Sequence, residues 1–119
     1  MKILIVGGGI GGVAAASFLE KKGFCVTLIE RAPEFKNIGF SITLFPNGRR
    51  LLRELGLDDE IGKHGYKVPS LVHADIDGHT LSSIDFKGMV NFGEPTLSIK
   101  RAHLHGILVE SLEKTKVLL

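Results

Sequence analysis

KILIVGGGIGGVAAASFLEKKGFCVTLIE, residues 2–30, decides the fold. Ile3 to Val6 is a continuous apolar run rich in β-branched residues, the composition of a parallel strand covered on both faces. It stops at Gly7. From Ile10 to Lys22 the apolar residues Ile10, Ala14 and Phe18 recur at helical spacing with Val13, Ala16 and Leu19 beside them, and Lys21, Lys22 and Gly23 form a stop signal. Cys25 to Ile29 is a second apolar strand, ending at Glu30. Strand, glycine turn, helix and strand make a βαβ unit, whose crossover is right-handed and whose strands are parallel.

The turn, Gly7-Gly8-Gly9-Ile10-Gly11-Gly12, satisfies G-x-G-x-x-G at positions 7, 9 and 12. Gly7 permits the tight turn, Gly9 leaves room for a pyrophosphate to reach the backbone, and Gly12 lets helix and strand pack closely. The N–H groups of the helix start and the positive end of its dipole then face the anion. Glu30 stands 18 residues beyond Gly12, near the ~20 at which a carboxylate accepts hydrogen bonds from the adenosine ribose. That carboxylate repels a 2′-phosphate, which disfavours NADP as the primary occupant.

Outward from this unit, Phe40 to Phe45 reads as a strand or extended segment. Pro46-Asn47 opens a short helix with Leu51, Leu52 and Leu55 inward, closed by Gly56, and Asp58 to Lys63 adds a helical turn. Ser70 to Ile76 and His79 to Phe86 flank Asp77-Gly78, the signature of a hairpin with a type I′ turn. This antiparallel pair is expected to begin a separate sheet that covers a substrate. Arg101 to Lys114 reads as a helix with Leu104, Ile107, Leu108 and Leu112 on one stripe. Val117 to Leu119 reads as a strand cut short.

The 119 residues, 44% hydrophobic and 24% charged, suit one globular domain that is short for an enzyme holding both a dinucleotide and a substrate. A net charge of +2, without clustering, argues against nucleic acid as a partner. The N-terminal stretch superficially resembles a secretory signal, but its five glycines weaken a helical core. No run approaches the roughly 20 apolar residues needed to span a bilayer, so a cytoplasmic protein without a membrane partner is expected. The single cysteine, Cys25, excludes an internal disulfide and reads as a buried structural thiol. Arg49, Arg50 and Arg53 read as a solvated helix face. His103 and His105 point apart on their helix, and His64, His73 and His79 lack ligand spacing, so no metal site is expected.

The segment GGGIGGVAAASFLEKKGFCVTLIERAPEF resembles the opening of the FAD-dependent group A flavoprotein monooxygenases, the p-hydroxybenzoate hydroxylase-like aromatic-ring hydroxylases. GFSITLFPNGRRLLRELGL resembles that family's G-x-G-[IL]-x-L-x-P-N…L-x-x-L-G-L stretch, and Ile99 to Leu104 its [VI]-x-R-x-x-L helix start. The resemblance implies an α/β fold: a Rossmann-like FAD-binding βαβ unit of the GR2 flavoprotein type, with the start of an antiparallel substrate-domain sheet, on a truncated chain. It divides the sequence into an FAD-binding segment at 1–69, a hairpin insertion at 70–98 and a return to the FAD-binding part at 99–119. It implies FAD contacts from Gly7, Gly9, Ile10, Gly11, Gly12 and Glu30, with Arg31 near the adenosine, Thr43 in the loop on the flavin side and Arg101 near the pyrophosphate or ribityl chain. It further implies an oxidoreductase in which NAD(P)H reduces FAD and the reduced flavin uses O₂ to hydroxylate a small aromatic substrate.

Ser41 departs from the pattern, standing where the family has its second loop glycine. The family's Asp-Gly and Gly-Asp motifs belong beyond residue 119, and Asp77-Gly78 is a hairpin turn rather than the former. No catalytic side chain is assigned, because the cofactor carries the reaction. Other readings are a geranylgeranyl reductase-like enzyme, an amine oxidase, against which the R-x-x-L match argues, and a non-catalytic nucleotide-binding module completed by another chain. The apolar end of the chain motivates self-association through an unfinished sheet.

Overall fold

The apolar runs at the N-terminus pair as their composition demands. In the computed structural model, which describes residues 1–35, 39–87 and 95–119, β1 (Lys2–Val6) and β2 (Cys25–Ile29) run parallel, with Lys2 opposite Cys25 and Val6 opposite Ile29. Between them α1 (Ile10–Lys21) ends where Gly23, at φ +84°, turns the chain back. The helix buries Val13 and Ala16 against β2, whose Val26 and Leu28 alternate inward.

The chain then builds a second layer. β3 (Ser41–Leu44) leads into α2 (Pro46–Glu54), and Pro46 is well placed at the first helical position, where its missing N–H costs no bond. Gly56 at φ +81° ends α2, and α3 (Asp58–His64) follows. β4 (Tyr66–Lys67) precedes the hairpin of β5 (Ser70–Ala74) and β6 (Thr80–Asp85). β7 (Leu97–Lys100) returns between β3 and β4, antiparallel to both. α4 (Arg101–Glu110) packs on α1, and β8 (Lys116–Leu118) adds to β2 in parallel. Among the described residues the sheets are therefore β1-β2-β8, β3-β7-β4 and the isolated pair β5-β6. Leu28, Leu104, Leu108, Ile99 and Ile61 join the layers in one core.

Several expectations are corrected. Among the described residues the first sheet is covered on one face only. Leu4 is 61% and Val6 77% exposed, and Cys25, on the same face of β2, is exposed rather than buried. Period-2 alternation puts these side chains opposite α1, where no described element packs. Leu51 is also exposed, since Leu52 takes the inward direction of α2. Arg49 is not solvated: only 6% exposed, it meets Asp58 in a bidentate pair, Nε to Oδ1 at 3.0 Å and Nη2 to Oδ2 at 2.8 Å, and donates to the Pro95 carbonyl at 2.9 Å. Arg53 Nη2 joins the same Asp58 oxygen at 3.2 Å.

The hairpin turn is not type I′. Only Gly78 has positive φ, +88°, and its N–H donates to the Asp75 carbonyl at 3.1 Å, so the loop is a turn followed by one left-handed glycine. Finally, α4 stops at Glu110 instead of continuing to Lys114. The N–H groups of Glu113, Lys114 and Thr115 donate to the carboxylate of Glu20 on α1, which draws the chain out of helical geometry and towards β8.

Candidate functional site

The glycine turn shows why its residues are small. Gly7 sits at φ +106° and donates its N–H to the Ile29 carbonyl at 2.8 Å, tying the turn to the end of β2. A Cβ on Gly12 would run into the Gly7 carbonyl oxygen, so the third glycine sets the contact between α1 and the turn. A Cβ on Gly9 would meet nothing within 4 Å, so this side of the backbone is open to a large group. Gly8, which the motif leaves unspecified, is also confined. A Cβ there would approach Phe35 Cε1 at 2.5 Å and Glu30 Cβ at 3.1 Å.

Gly9 is the N-cap of α1, with no side-chain cap and no acidic residue in the first turn. Gly9, Ile10, Gly11 and Gly12 therefore carry the N–H groups that an α-helix leaves without intrahelical partners. Together with the helix dipole they form a locus for negative charge.

Glu30 borders this locus. Its Oε1 accepts the Ala32 N–H at 3.0 Å and its Oε2 the Gly8 N–H at 2.7 Å. These two bonds, Ala32 foremost, hold its carboxyl below the usual carboxylate range, so it is ionised at neutral pH. Each oxygen keeps a further lone pair for a hydroxyl donor.

A cleft of about 160 Å³ opens in front of the turn, lined by Gly8, Gly9, Glu30, Phe35, Arg101 and His105 among others. Arg101 begins α4, and its N–H donates to the Phe40 carbonyl at 2.9 Å. Its side chain packs over Gly39, which has φ +114° and whose added Cβ would lie 3.1 Å from Arg101 Cδ. Arg31 is not in this cleft. It lines an adjoining depression with Val6, Gly7, Ile29 and Glu30, so Glu30 stands between the two. Thr43 is exposed on β3, in register with Ser98, and does not line either depression.

His105 escapes sequence reasoning. Its Nε2 lies 2.6 Å from the Gly8 carbonyl oxygen, and its ring meets the edge of Phe35 with centroids 4.9 Å apart. Two positions earlier, His103 instead meets His64, at 5.2 Å, as the i, i+2 spacing requires. Among the described residues one group, Asp75, Asp77 and His79, brings potential metal-ligand atoms within 4.8 Å of one another. The hairpin turn makes this cluster, and the Asp75 carboxylate there already accepts the N–H groups of Asp77 and His79 at 3.0 and 2.8 Å. No described helix is long and apolar enough to cross a membrane.

Comparison with known proteins agrees with the glycine turn. The sequence model of the FAD-binding domain family matches residues 1–117. 3-Hydroxybenzoate 6-hydroxylase 1 of Aquipseudomonas alcaligenes is 40% identical over 118 residues, covering 95% of this chain and 29% of its own. 6-Hydroxynicotinate 3-monooxygenase of Pseudomonas fluorescens is 32% identical over 120 residues, covering 93% and 30%. The Klebsiella pneumoniae HpxO structure, complexed with FAD and uric acid, superposes with a TM-score of 0.80 at 23% identity, covering 98% of this chain and 30% of its own. The chain thus spans less than a third of the length of these relatives. With the family match running over residues 1–117, the chain belongs to the FAD-binding domain family.

Proposed function

We propose that this chain is the FAD-binding portion of an NAD(P)H-dependent flavin monooxygenase that hydroxylates a small aromatic substrate. The observation that carries the reading is the cleft itself, in which Arg101, from the start of α4, faces the glycine turn and Glu30. The helix-start N–H groups and Arg101 supply positive potential for a diphosphate, and the Glu30 carboxylate supplies acceptors for ribose hydroxyls. Gly7 and Gly12 shape the turn; Gly9, Ile10 and Gly11 present it to the diphosphate. Arg31, across Glu30 from the cleft, is assigned to the adenosine side, and Thr43 to the flavin side.

FAD, when bound, supplies the redox chemistry. The residues of this chain bind and orient it, and no catalytic side chain is assigned among them. The hydroxylase and monooxygenase relatives support the reaction class and the aromatic substrate. Residues 1–69 and 99–119 are read as the FAD-binding part, with 70–98 as the start of a substrate domain. The single cysteine favours a cytoplasmic setting. The exposed face of β1-β2-β8 supports self-association of the 119-residue chain.

Flavin fluorescence during titration of the chain with FAD tests the reading. Binding is expected, and Glu30→Ala is expected to weaken it roughly tenfold to a hundredfold, the equivalent of losing hydrogen bonds to a charged acceptor. Unchanged affinity in Glu30→Ala would remove the ribose role, and absence of binding by the unmodified chain would remove the cofactor.

A further inference from the structure

The second glycine of the turn has both of its backbone groups held by side chains. Its N–H donates to Glu30 Oε2 at 2.7 Å, from the end of β2, and its carbonyl lies 2.6 Å from His105 Nε2, on α4. A carbonyl oxygen only accepts, so Nε2 carries the proton and His105 is the donor. This bond joins residues 97 apart in sequence, across the floor of the cleft.

The consequence lies in the geometry of one peptide. The Gly8 carbonyl and the Gly9 N–H belong to the same planar trans unit and point in opposite directions. Fixing the carbonyl on His105 therefore fixes the N–H of Gly9 on the other side. Because Glu30 takes the N–H of Gly8, Gly9 is the first residue of the turn whose N–H remains for a ligand. Glycine has no side chain to hold such a plane in place, and its φ and ψ are the least restricted of any residue. Phe35, packed edge-on against the imidazole at an interplanar angle of 66°, limits the orientations the ring can take.

We propose that His105 is a positioning residue of the dinucleotide site: it clamps the Gly8–Gly9 peptide so that the Gly9 N–H is aimed at the cofactor diphosphate before binding. The proposal rests on the FAD reading for its ligand. The clamp itself is a property of the ligand-free chain.

The test uses the full chain and two variants, His105→Ala and His105→Gln, the second keeping a side-chain N–H donor. Amide hydrogen exchange, followed by NMR without ligand, should quicken roughly fivefold in His105→Ala at Gly8, whose N–H is held by Glu30, as expected for loss of one net hydrogen bond, while Leu28 in the core is unchanged. FAD affinity should fall by a similar factor. His105→Gln should restore both to near the starting values, which a residue that merely fills space would not do. Equal exchange at Gly8 in His105→Ala and the unmodified chain overturns the proposal, as does a His105→Gln variant no better than His105→Ala. If the clamp is seen but the unmodified chain takes up no FAD, the clamp stands and the cofactor reading fails.

Discussion

Gly12 has the least freedom of any residue in the turn, because the atom it would meet on gaining a side chain is the backbone oxygen of Gly7. A flexible neighbour can turn aside; a carbonyl held in a turn that Gly7 itself anchors to Ile29 cannot. Gly12→Ala is therefore expected to separate α1 from the turn and to destabilise the chain by about 2 kcal/mol, in the range of overpacked cores. Chemical denaturation would read this as a lower midpoint, and Gly9→Ala, in open space, should leave the midpoint nearly unchanged while obstructing the cofactor. Equal midpoints for the two variants would contradict the geometry. The placement of Gly7, Gly9, Gly12 and Glu30 around the turn was legible in the sequence because it follows from spacing within one βαβ unit. His105 and Arg49 were not. Each is defined by a partner far away or in another element, Gly8 for one and Asp58 with Pro95 for the other, and neither pairing leaves a periodic trace. An arginine on a polar-looking helix is a solvated residue on composition alone, and only the fold reveals that a carboxylate is buried beside it.

At the scale of elements, the helices and the first two strands follow from local patterns, whereas β4, β7 and the place of β8 depend on pairing with distant strands. The connection into β8 shows what sets that pairing. Glu20, in the last turn of α1, accepts the N–H groups of Glu113, Lys114 and Thr115 and the Thr115 hydroxyl, and β8 in turn gives its Leu118 carbonyl to the Glu30 N–H at 2.9 Å. Partial burial pushes the Glu20 carboxyl up, but the four donors outweigh it and hold the group below its usual 4.5. A depressed carboxylate stabilises the fold at pH above its unfolded value, and that contribution is lost as pH falls through the folded value. Glu20→Gln replaces one acceptor by a donor facing N–H groups, so its thermal midpoint should lie below that of the unmodified chain at pH 7. The difference should be full above about pH 4.5 and should close as the pH drops below it. A gap that stays constant through acid would show that the carboxylate charge is not what holds β8. Because β8 supports the Glu30 backbone, Glu20→Gln should also loosen the Glu30 amide in hydrogen exchange.

For the whole molecule, the feature with the widest consequence is the outer face of the first sheet. Strand register aligns Val6, Ile29 and Leu118 in one row and Leu4 beside Thr27 and Lys116 in the next, on the face away from α1. Val6 at 77% and Leu118 at 44% exposure leave that row open, and among the described residues β1 and β8 end the sheet on either side. Unpaired strand edges beside an uncovered apolar face are the geometry through which chains associate. The 119-residue chain should therefore self-associate in a concentration-dependent way, seen by sedimentation velocity. Replacing Val6 and Leu118 together by Lys should shift it towards monomer without touching Val13, Leu28 or the rest of the core. Cys25, exposed on the same face, supplies an independent probe: its reaction with a thiol reagent should slow as concentration rises and stay fast in the double variant. If the chain sediments as a monomer throughout, or if Cys25 reacts at the same rate at every concentration, association through this face is refuted.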